Sequence, residues 1–259
     1  MRLTEAEIEA RLANPADCIT FSDGNSKLAK TGIVLTDIIR ANGSIGGYKP
    51  RPGANKVVSF NVPAGSYDFG GKNTVTCPGA GDCMAVCYAR QGTFMFPMSK
   101  AVRILNHRAL VALHREGGTE KVLDILDGKV KKLSSKVAVV RIHDSGDFFA
   151  RWYLDAWVSV ARRNPSILFY AYTKSVPLFV GVKLPKNMRV TFSQGGKWDD
   201  QIPATAPIAR IFSDDTVRRA AGYVDGIAND GPAILGEKLI GLVYHGVRKL
   251  TGKEVSRWA

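Results

Sequence analysis

Short apolar runs alternate along most of the chain with longer amphipathic segments. The apolar runs are rich in Val, Ile, Phe and Tyr, which is typical of buried β-strands. They predict strands over residues 56–62, 136–143, 167–172, 188–193, 208–212 and 239–245, with a further short strand at 222–225. The intervening periodicity predicts helices over 98–115, 120–132 and 150–163, and shorter ones around Val176 and Thr216. Strands that alternate with helices favour an α/β fold with a parallel sheet.

The number of predicted strands suits a partial or complete β/α (TIM-like) barrel with parallel strands, and an open doubly wound sheet is the alternative. No internal repeat or long linker divides the chain, so we expect one barrel-like domain over residues 54–259. Residues 1–53 are predicted to form a helical and irregular segment that packs on the barrel. A cysteine loop over 71–91 follows the first strand of the barrel.

Polar residues follow the apolar runs where the predicted strands end. They are His143 and Asp144, Thr173 and Lys174, Ser193 and Gln194, Ser213 and Asp214, and His245. The carboxyl ends of parallel strands form the active face of such folds, so the pattern favours a barrel whose mouth gathers these side chains. Any single Ser, Thr or Asp at such a position more often caps the next helix, and the argument therefore depends on the whole set.

Composition narrows the classes of protein. The chain has 259 residues, of which 45% are hydrophobic and 23% charged, and this excludes disordered, collagen-like and coiled-coil proteins. A chain of this length folds without help from a metal, so a bound metal would serve function. The sequence lacks a signal-peptide pattern and a long apolar run, so we expect a cytoplasmic protein with no membrane partner. A reducing cytoplasm would leave its thiols free to bind metals.

Three of the four cysteines lie within eleven residues, in the segment CPGAGDCMAVC. They are Cys77, Cys83 and Cys87. The surrounding Gly, Pro and Asp are unlike an apolar core, and clustered thiolates select zinc, copper(I) or iron-sulfur. Structural zinc usually takes two close pairs of ligands, which the sequence lacks, but a Cys3His site stays open with His107, His143 or His245. A [4Fe-4S] cluster on three thiolates would leave one iron for another ligand, with Cys18 as a spare thiol.

Several segments together resemble the gene product 88 family of bacteriophage proteins, over about residues 24–196. They are GNSKL from Gly24, SFNVPAG leading into TCPGA, Cys83 with Cys87-Tyr88-Ala89, RIHDSGDFF from Arg141, and YAYTKS from Tyr170. Such proteins look in turn like distant relatives of radical S-adenosylmethionine iron-sulfur enzymes. That resemblance implies a cluster on the loop after the first barrel strand. It also implies a glycine-plus-acid motif after the second strand that holds the amino group of S-adenosylmethionine.

The segment Ser145-Gly146-Asp147 stands at the place of that motif, so these residues are expected to bind the cofactor. Ser193, which opens the glycine-rich SQGGK turn, is a further cofactor-binding candidate. The cysteine spacing differs from that of radical enzymes, with five and then three intervening residues instead of three and then two. This difference moves the open iron relative to the second-strand motif.

The segment His143 to Asp147 (HDSGD) is the second candidate for chemistry. Under the cluster hypothesis, His143 or one of the aspartates approaches the open iron, and Asp147 orients a bound amine or water. Under a hydrolase (esterase-type) hypothesis, Ser145 or Ser193 is the nucleophile, His143 the base, and Asp144 or Asp147 its orienting partner, or else an iron activates water. Lys174 would anchor a carboxylate or phosphate of a small-molecule substrate. A buried His bonded to Asp is also a common structural pair.

Charge suggests a third hypothesis. The chain has 36 Lys and Arg against 23 Asp and Glu, a formal net charge of +13. The basic residues behind this hypothesis are Lys129, Lys131, Lys132, Lys136, Arg248, Lys249 and Lys253. Since the sequence contains no motif of a known nucleic-acid-binding module, we expect at most weak, salt-sensitive binding of nucleic acid, by an accessory protein with a structural metal site.

Overall fold

A computed structural model describes residues 3–23 and 25–244. Its strands are β1 (Lys56–Phe60), β2 (Ser66–Phe69), β3 (Lys72–Val75), β4 (Val137–Ile142), β5 (Leu168–Thr173), β6 (Met188–Ser193), β7 (Ile208–Phe212), β8 (Val224–Asp225) and β9 (Leu239–Val243). Its α-helices are α1 (Glu5–Arg11), α2 (Pro15–Cys18), α3 (Ser26–Asn42), α4 (Cys83–Val86), α5 (Pro97–Lys131), α6 (Arg151–Arg163), α7 (Asp215–Ala220) and α8 (Gly231–Leu235). Short 3-10 turns lie at Tyr88–Arg90, Gly92–Met95, Val176–Phe179 and Asp199–Gln201.

Seven strands form one parallel sheet in the order β1-β4-β5-β6-β7-β9-β8. The sheet curves into a half-barrel, which confirms the predicted α/β fold with a partial TIM-like barrel. Strands β2 and β3 form a separate antiparallel hairpin. Because all seven strands run the same way, their carboxyl ends meet at one edge, and the connections after β1, β4, β5, β6 and β7 start there.

The two faces of the sheet are covered by different helices. Successive strand residues point to opposite faces, so Val58 and Phe60 belong to one core and Val57 to the other. Helices α5 and α6 cover the first face, where Trp157 is fully buried. Helices α3 and α8 cover the second, where Leu28 is fully buried. The first turn of α3 therefore lies beside the carboxyl ends of the strands.

Most predicted elements are present, with boundaries shifted by a few residues. The strands at 188–193 and 208–212 are confirmed, and the predicted strand 239–245 ends at Val243, while His245 lies outside the described residues. The two predicted helices 98–115 and 120–132 form one element, α5, which is interrupted by non-helical φ and ψ angles at Gly117 and Gly118. The segment 71–91, predicted as a loop, contains regular structure: β3 lies near its start and α4 within it. Across the described ranges, no helix is long and apolar enough to cross a membrane.

Candidate functional site

A cavity of about 350 Å³ lies at the carboxyl edge of the sheet. Residues at or just after the ends of β4, β5, β6, β7 and β9 line it, together with the cysteine loop and the first turn of α3. Its volume is in the range of small-molecule sites, and such sites are mostly apolar with a few polar groups. The sequence-predicted candidates that line it are Cys77, Cys83, Cys87, His143, Asp144, Ser145, Gly146, Asp147, Thr173, Lys174 and Ser193.

The cysteine loop is fixed to the ends of β5 and β6. The backbone N–H of Lys197 donates to the carbonyl of Gly79 at 3.0 Å, and Ala80 forms an antiparallel bridge with Gly196. A Cβ atom on Gly79 would lie 2.2 Å from the backbone oxygen of Lys174, so this close approach requires glycine. The loop therefore covers the cavity from one side and brings its thiols to the strand ends.

The three clustered cysteines occupy different positions on this loop. Cys77 follows β3 and its Sγ accepts a hydrogen bond from the backbone N–H of Gly65 at 3.1 Å. Cys83 begins α4 and Cys87 follows that helix directly. Burial raises the pKa of the Cys77 and Cys87 thiols, so both favour the protonated form unless a cation binds them. Within the described residues, no three His, Cys, Asp or Glu side chains are grouped as ligands of one metal ion.

Cys18 lies away from this cavity. It is buried in the first core, and its Sγ donates to the backbone oxygen of Arg11 at 3.3 Å. Burial raises its pKa. Its role as a spare thiol stays a prediction.

The turn after β4 is held against the chain that follows β1. The Asn61 side-chain oxygen accepts the backbone N–H groups of Asp144 at 2.7 Å and Ser145 at 3.1 Å. Gly146 has φ 89°, and a Cβ atom there would lie 2.3 Å from Cγ2 of Val62. The turn therefore needs glycine at this position for both conformation and space.

Asp147 joins the ends of β4 and β5. Its carboxylate accepts the Thr173 hydroxyl at 2.6 Å and the backbone N–H groups of Phe148 at 2.7 Å and Lys174 at 2.9 Å. Burial raises the pKa of Asp147, whereas these hydrogen bonds favour its charged form. Three of its lone-pair positions are thus taken by the protein itself.

No hydrogen bond joins the His143 and Ser145 side chains, both of which the structure describes. The Nε2 of His143 lies 2.8 Å from the Tyr153 hydroxyl, and its Nδ1 is buried without a hydrogen-bond partner among the described residues. Burial lowers the pKa of His143 to about 3, so the ring is neutral near pH 7. The Ser145 hydroxyl accepts a hydrogen bond from Arg103 at 3.4 Å. These bonds do not form the Ser/His/Asp relay of the hydrolase hypothesis.

Lys174 is engaged by the end of β6. Its ammonium donates to the Ser193 carbonyl at 2.9 Å, the Ser193 hydroxyl at 2.7 Å and the Gln194 carbonyl at 2.5 Å. Burial lowers its pKa, while nearby carboxylates, such as Asp147, act in the opposite direction. All three ammonium hydrogens are used, so in this arrangement Lys174 orients the β6 end rather than offering a donor to a substrate.

A buried ionic network on the cavity wall was not foreseen from the sequence. Arg141 on β4 donates to Asp230 at 2.7 Å and approaches Asp144 at 3.2 Å. Asp230 is fully buried and also contacts Lys27 at 2.8 Å and the Tyr170 hydroxyl at 2.7 Å. Although burial disfavours the carboxylate, the charges of Arg141 and Lys27 lower the pKa of Asp230 overall. The one local signal was a charged residue inside the apolar run KVAVVRIH.

Tyr172 presents a second buried polar atom without a partner, besides Nδ1 of His143, among the described residues that line the cavity. Its hydroxyl is buried without a hydrogen-bond partner among the described residues, and the residue lines the cavity. The guanidinium carbon of Arg141 lies 5.6 Å from the centre of its ring. A buried hydroxyl normally has a partner, so a bound molecule with an acceptor group would complete this wall.

Comparison with known proteins identifies the family. A sequence model described as Gene product 88 matches residues 19–252. The Gene 88 protein of Mycobacterium phage L5 is 30% identical over 169 residues, which cover 61% of this chain and 64% of that protein, so the match spans just under two thirds of the relative. No solved structure matches the chain. The resemblance to radical S-adenosylmethionine enzymes stays a prediction. The family match spans most of the sequence, and the chain therefore belongs to the gene product 88 family.

Proposed function

We propose that this protein binds a [4Fe-4S] cluster through Cys77, Cys83 and Cys87 and is an enzyme that acts on a small molecule beside it. The observation that carries the proposal is that the three thiols of one loop line a single cavity at the carboxyl ends of the strands. In β/α folds this edge is where chemistry occurs. A cavity of about 350 Å³ has room for a small substrate.

The donor set fits a cluster. Cysteine thiolates are the usual ligands of iron-sulfur clusters, and each would bind a different iron, so the three sulfurs need not meet at one point. The N–H of Gly65 already donates to Cys77 Sγ, and hydrogen bonds to sulfur stabilise the thiolate form. Three ligands leave one iron open, which supplies a Lewis acid or an electron donor when the cluster is bound.

The other residues of the cavity would bind and orient the small molecule. The Tyr172 hydroxyl offers a hydrogen bond, and the carboxylate of Asp144 is held in place by Arg141 and by the side-chain amide of Asn25. Apolar side chains, such as Leu242 on β9, line the same space and would limit access of water. S-adenosylmethionine is one ligand to test, because the Gly146 turn also lines the cavity.

The first experiment measures iron and acid-labile sulfide in protein purified or reconstituted without oxygen. We expect a brown protein with about four irons per chain, and Cys83→Ser should lose most of that iron. Cys18→Ser is the matched control, because Cys18 is a buried thiol outside the cavity, and it should keep full iron content. A colourless protein that binds zinc and no iron, or equal iron loss in both variants, would refute the proposal.

A second measurement separates two kinds of enzyme. Electron paramagnetic resonance of the reduced protein is recorded with and without S-adenosylmethionine. A changed spectrum places that cofactor on the open iron and supports a radical S-adenosylmethionine-like enzyme. An unchanged spectrum, with hydrolysis of aryl esters that disappears when iron is removed, assigns the iron-dependent hydrolase instead.

Nucleic-acid binding is a second candidate function, supported by the placement of three exposed lysines. Lys131 and Lys132 end α5 and Lys136 directly precedes β4, so they lie at the amino edge of the sheet, opposite the cavity. Lys131 pairs with Asp127 at 2.7 Å. Lys129, also predicted, is half-buried on α5, and the remaining predicted residues Arg248, Lys249 and Lys253 lie outside the described residues. Affinity for a DNA duplex should fall steeply with salt, and binding unaffected by salt would contradict this function.

A further inference from the structure

An exposed apolar patch lies where α5 begins. We call Met95, Phe96, Met98 and Val102 the α5-entry patch, and their exposed fractions are 48%, 59%, 41% and 38%. Met98 and Val102 are four residues apart on the helix, so they share one face. Adjacent exposed apolar side chains of this kind mark interaction sites, and methionines adapt well to partner surfaces.

The patch adjoins the wall of the cavity that carries Cys87. Phe94, directly before the patch, lines the cavity, and its ring lies 5.4 Å from that of Tyr88, the residue after Cys87. Arg103 holds this segment on α5 through hydrogen bonds to the carbonyls of Phe94 and of Ser99, the latter at 2.8 Å. A molecule docked on the patch would therefore lie against the outside of the cysteine site.

The charge around the patch selects an acidic partner. Residues 83–115 contain five Lys or Arg and no Asp or Glu. Arg103 is buried and Arg108 pairs with Glu9, so the exposed basic side chains of this stretch are Arg90, Lys100 and Arg115. Arg90 and Lys100 are exposed beside the patch, and neither forms a salt bridge within the described residues. A second copy of the chain would bring the same basic surface, and like charges repel, so we do not expect it to be the partner. The C-terminal residues 245–259 hold four Lys or Arg against one Glu, so they carry the same sign of charge.

We propose that the α5-entry patch docks an acidic one-electron carrier protein of the ferredoxin type, an inference that rests on the proposed cluster. One electron passes from the reduced carrier to the cluster, so the carrier is oxidised and the cluster reduced by one electron each, and no atom or proton is transferred. The apolar centre and basic rim suit a small, transient interface, as is usual for electron-transfer pairs.

The experiment uses a plant-type [2Fe-2S] ferredoxin as the probe and the iron-loaded protein. It measures the Kd by calorimetry at several salt concentrations and the rate of cluster reduction by stopped flow. Lys100→Glu and Phe96→Ser should each weaken binding by about tenfold and slow reduction in proportion. The matched controls are Lys132→Glu, at the amino edge, and Val180→Ser, at an apolar residue exposed by 73%. Both controls should stay within about twofold of the wild type.

The outcomes separate the two proposals. A protein without iron refutes the proposed function itself. In a second outcome, dithionite reduces the cluster, but the protein neither binds ferredoxin nor accepts electrons from it. This outcome supports the cluster and refutes the docking proposal. Equal effects of the patch variants and their controls would also overturn it. Binding to phosphatidylserine vesicles that is lost in Phe96→Ser, with no binding of ferredoxin, would assign the patch to a membrane surface instead.

Discussion

Replacement of Gly146 by alanine tests whether the turn after β4 is fixed by local geometry. Gly146 has φ 89°, which L-amino acids rarely adopt, and an added Cβ would lie 2.3 Å from Cγ2 of Val62 and 2.9 Å from its backbone oxygen. Val62 is itself fully buried, so it has little room to move. Both effects act in the folded state and should lower the free energy of unfolding.

The magnitude follows from two separate costs. A positive φ costs an L-residue about 1–2 kcal/mol, and overpacking in a dense interior adds about 1–3 kcal/mol. We therefore expect Gly146→Ala to lose about 2–5 kcal/mol, a large part of the stability of a typical domain. Gly181→Ala provides the control, because Gly181 has φ 73° but nothing within 4 Å of its Cβ position. It should lose the backbone cost alone, about 1–2 kcal/mol.

The assay is urea unfolding of the wild type and both variants, followed by circular dichroism at one pH and salt concentration. Gly146→Ala should unfold at a clearly lower urea concentration than Gly181→Ala, with similar slopes. Val62→Ala added to Gly146→Ala should cost less than Val62→Ala alone, because it removes the clashing methyl group. Equal stabilities of the two glycine variants would refute the packing argument.

Two further predictions concern buried charge. Burial lowers the pKa of His143 from 6.5 to about 3. Below pH 6.5 the unfolded chain therefore binds a proton that the folded chain does not. The free energy of unfolding should fall by up to about 1.4 kcal/mol for each pH unit below that value. His143→Asn should flatten the pH dependence of the unfolding free energy between pH 7 and 4, and an unchanged slope would contradict this. Asp230→Asn removes the buried carboxylate that pairs with Arg141, and urea unfolding should show a loss of about 3–5 kcal/mol in the free energy of unfolding. Asp37→Asn, in an exposed ion pair, should change that free energy little. Similar losses in these two variants would contradict the role of the buried network.

The strands β1, β4, β5 and β6 could be predicted because they are largely buried on both faces and therefore appear as continuous apolar runs. The break in α5 was also foreseen, since two glycines separate the predicted helices. The hairpin of β2 and β3 was missed, because Lys72–Val75 is largely exposed and lacks an apolar run. Its one local signal was the pair Gly70-Gly71 between the two strands, a sequence that favours tight hairpin turns.

The candidate site was predictable where its residues are neighbours in sequence. The cysteines and the segment His143 to Asp147 stand on two loops at one sheet edge, so the strand pattern brings them to one cavity. The individual hydrogen bonds were not predictable, because they join residues from distant elements. Asp147 bonds to Thr173 and Lys174, and these contacts depend on how β4 and β5 align rather than on any local pattern.

The attachment of the cysteine loop to the far strands has a consequence for the order of assembly. Gly79 packs on Lys174 and Ala80 pairs with Gly196, so the loop reaches its final position only after β5 and β6 have joined the sheet. Contacts between such distant segments form late in folding. We expect that, during synthesis, the thiols leave the ribosome well before the walls that surround them, so the proposed cluster would be inserted only after the sheet is complete.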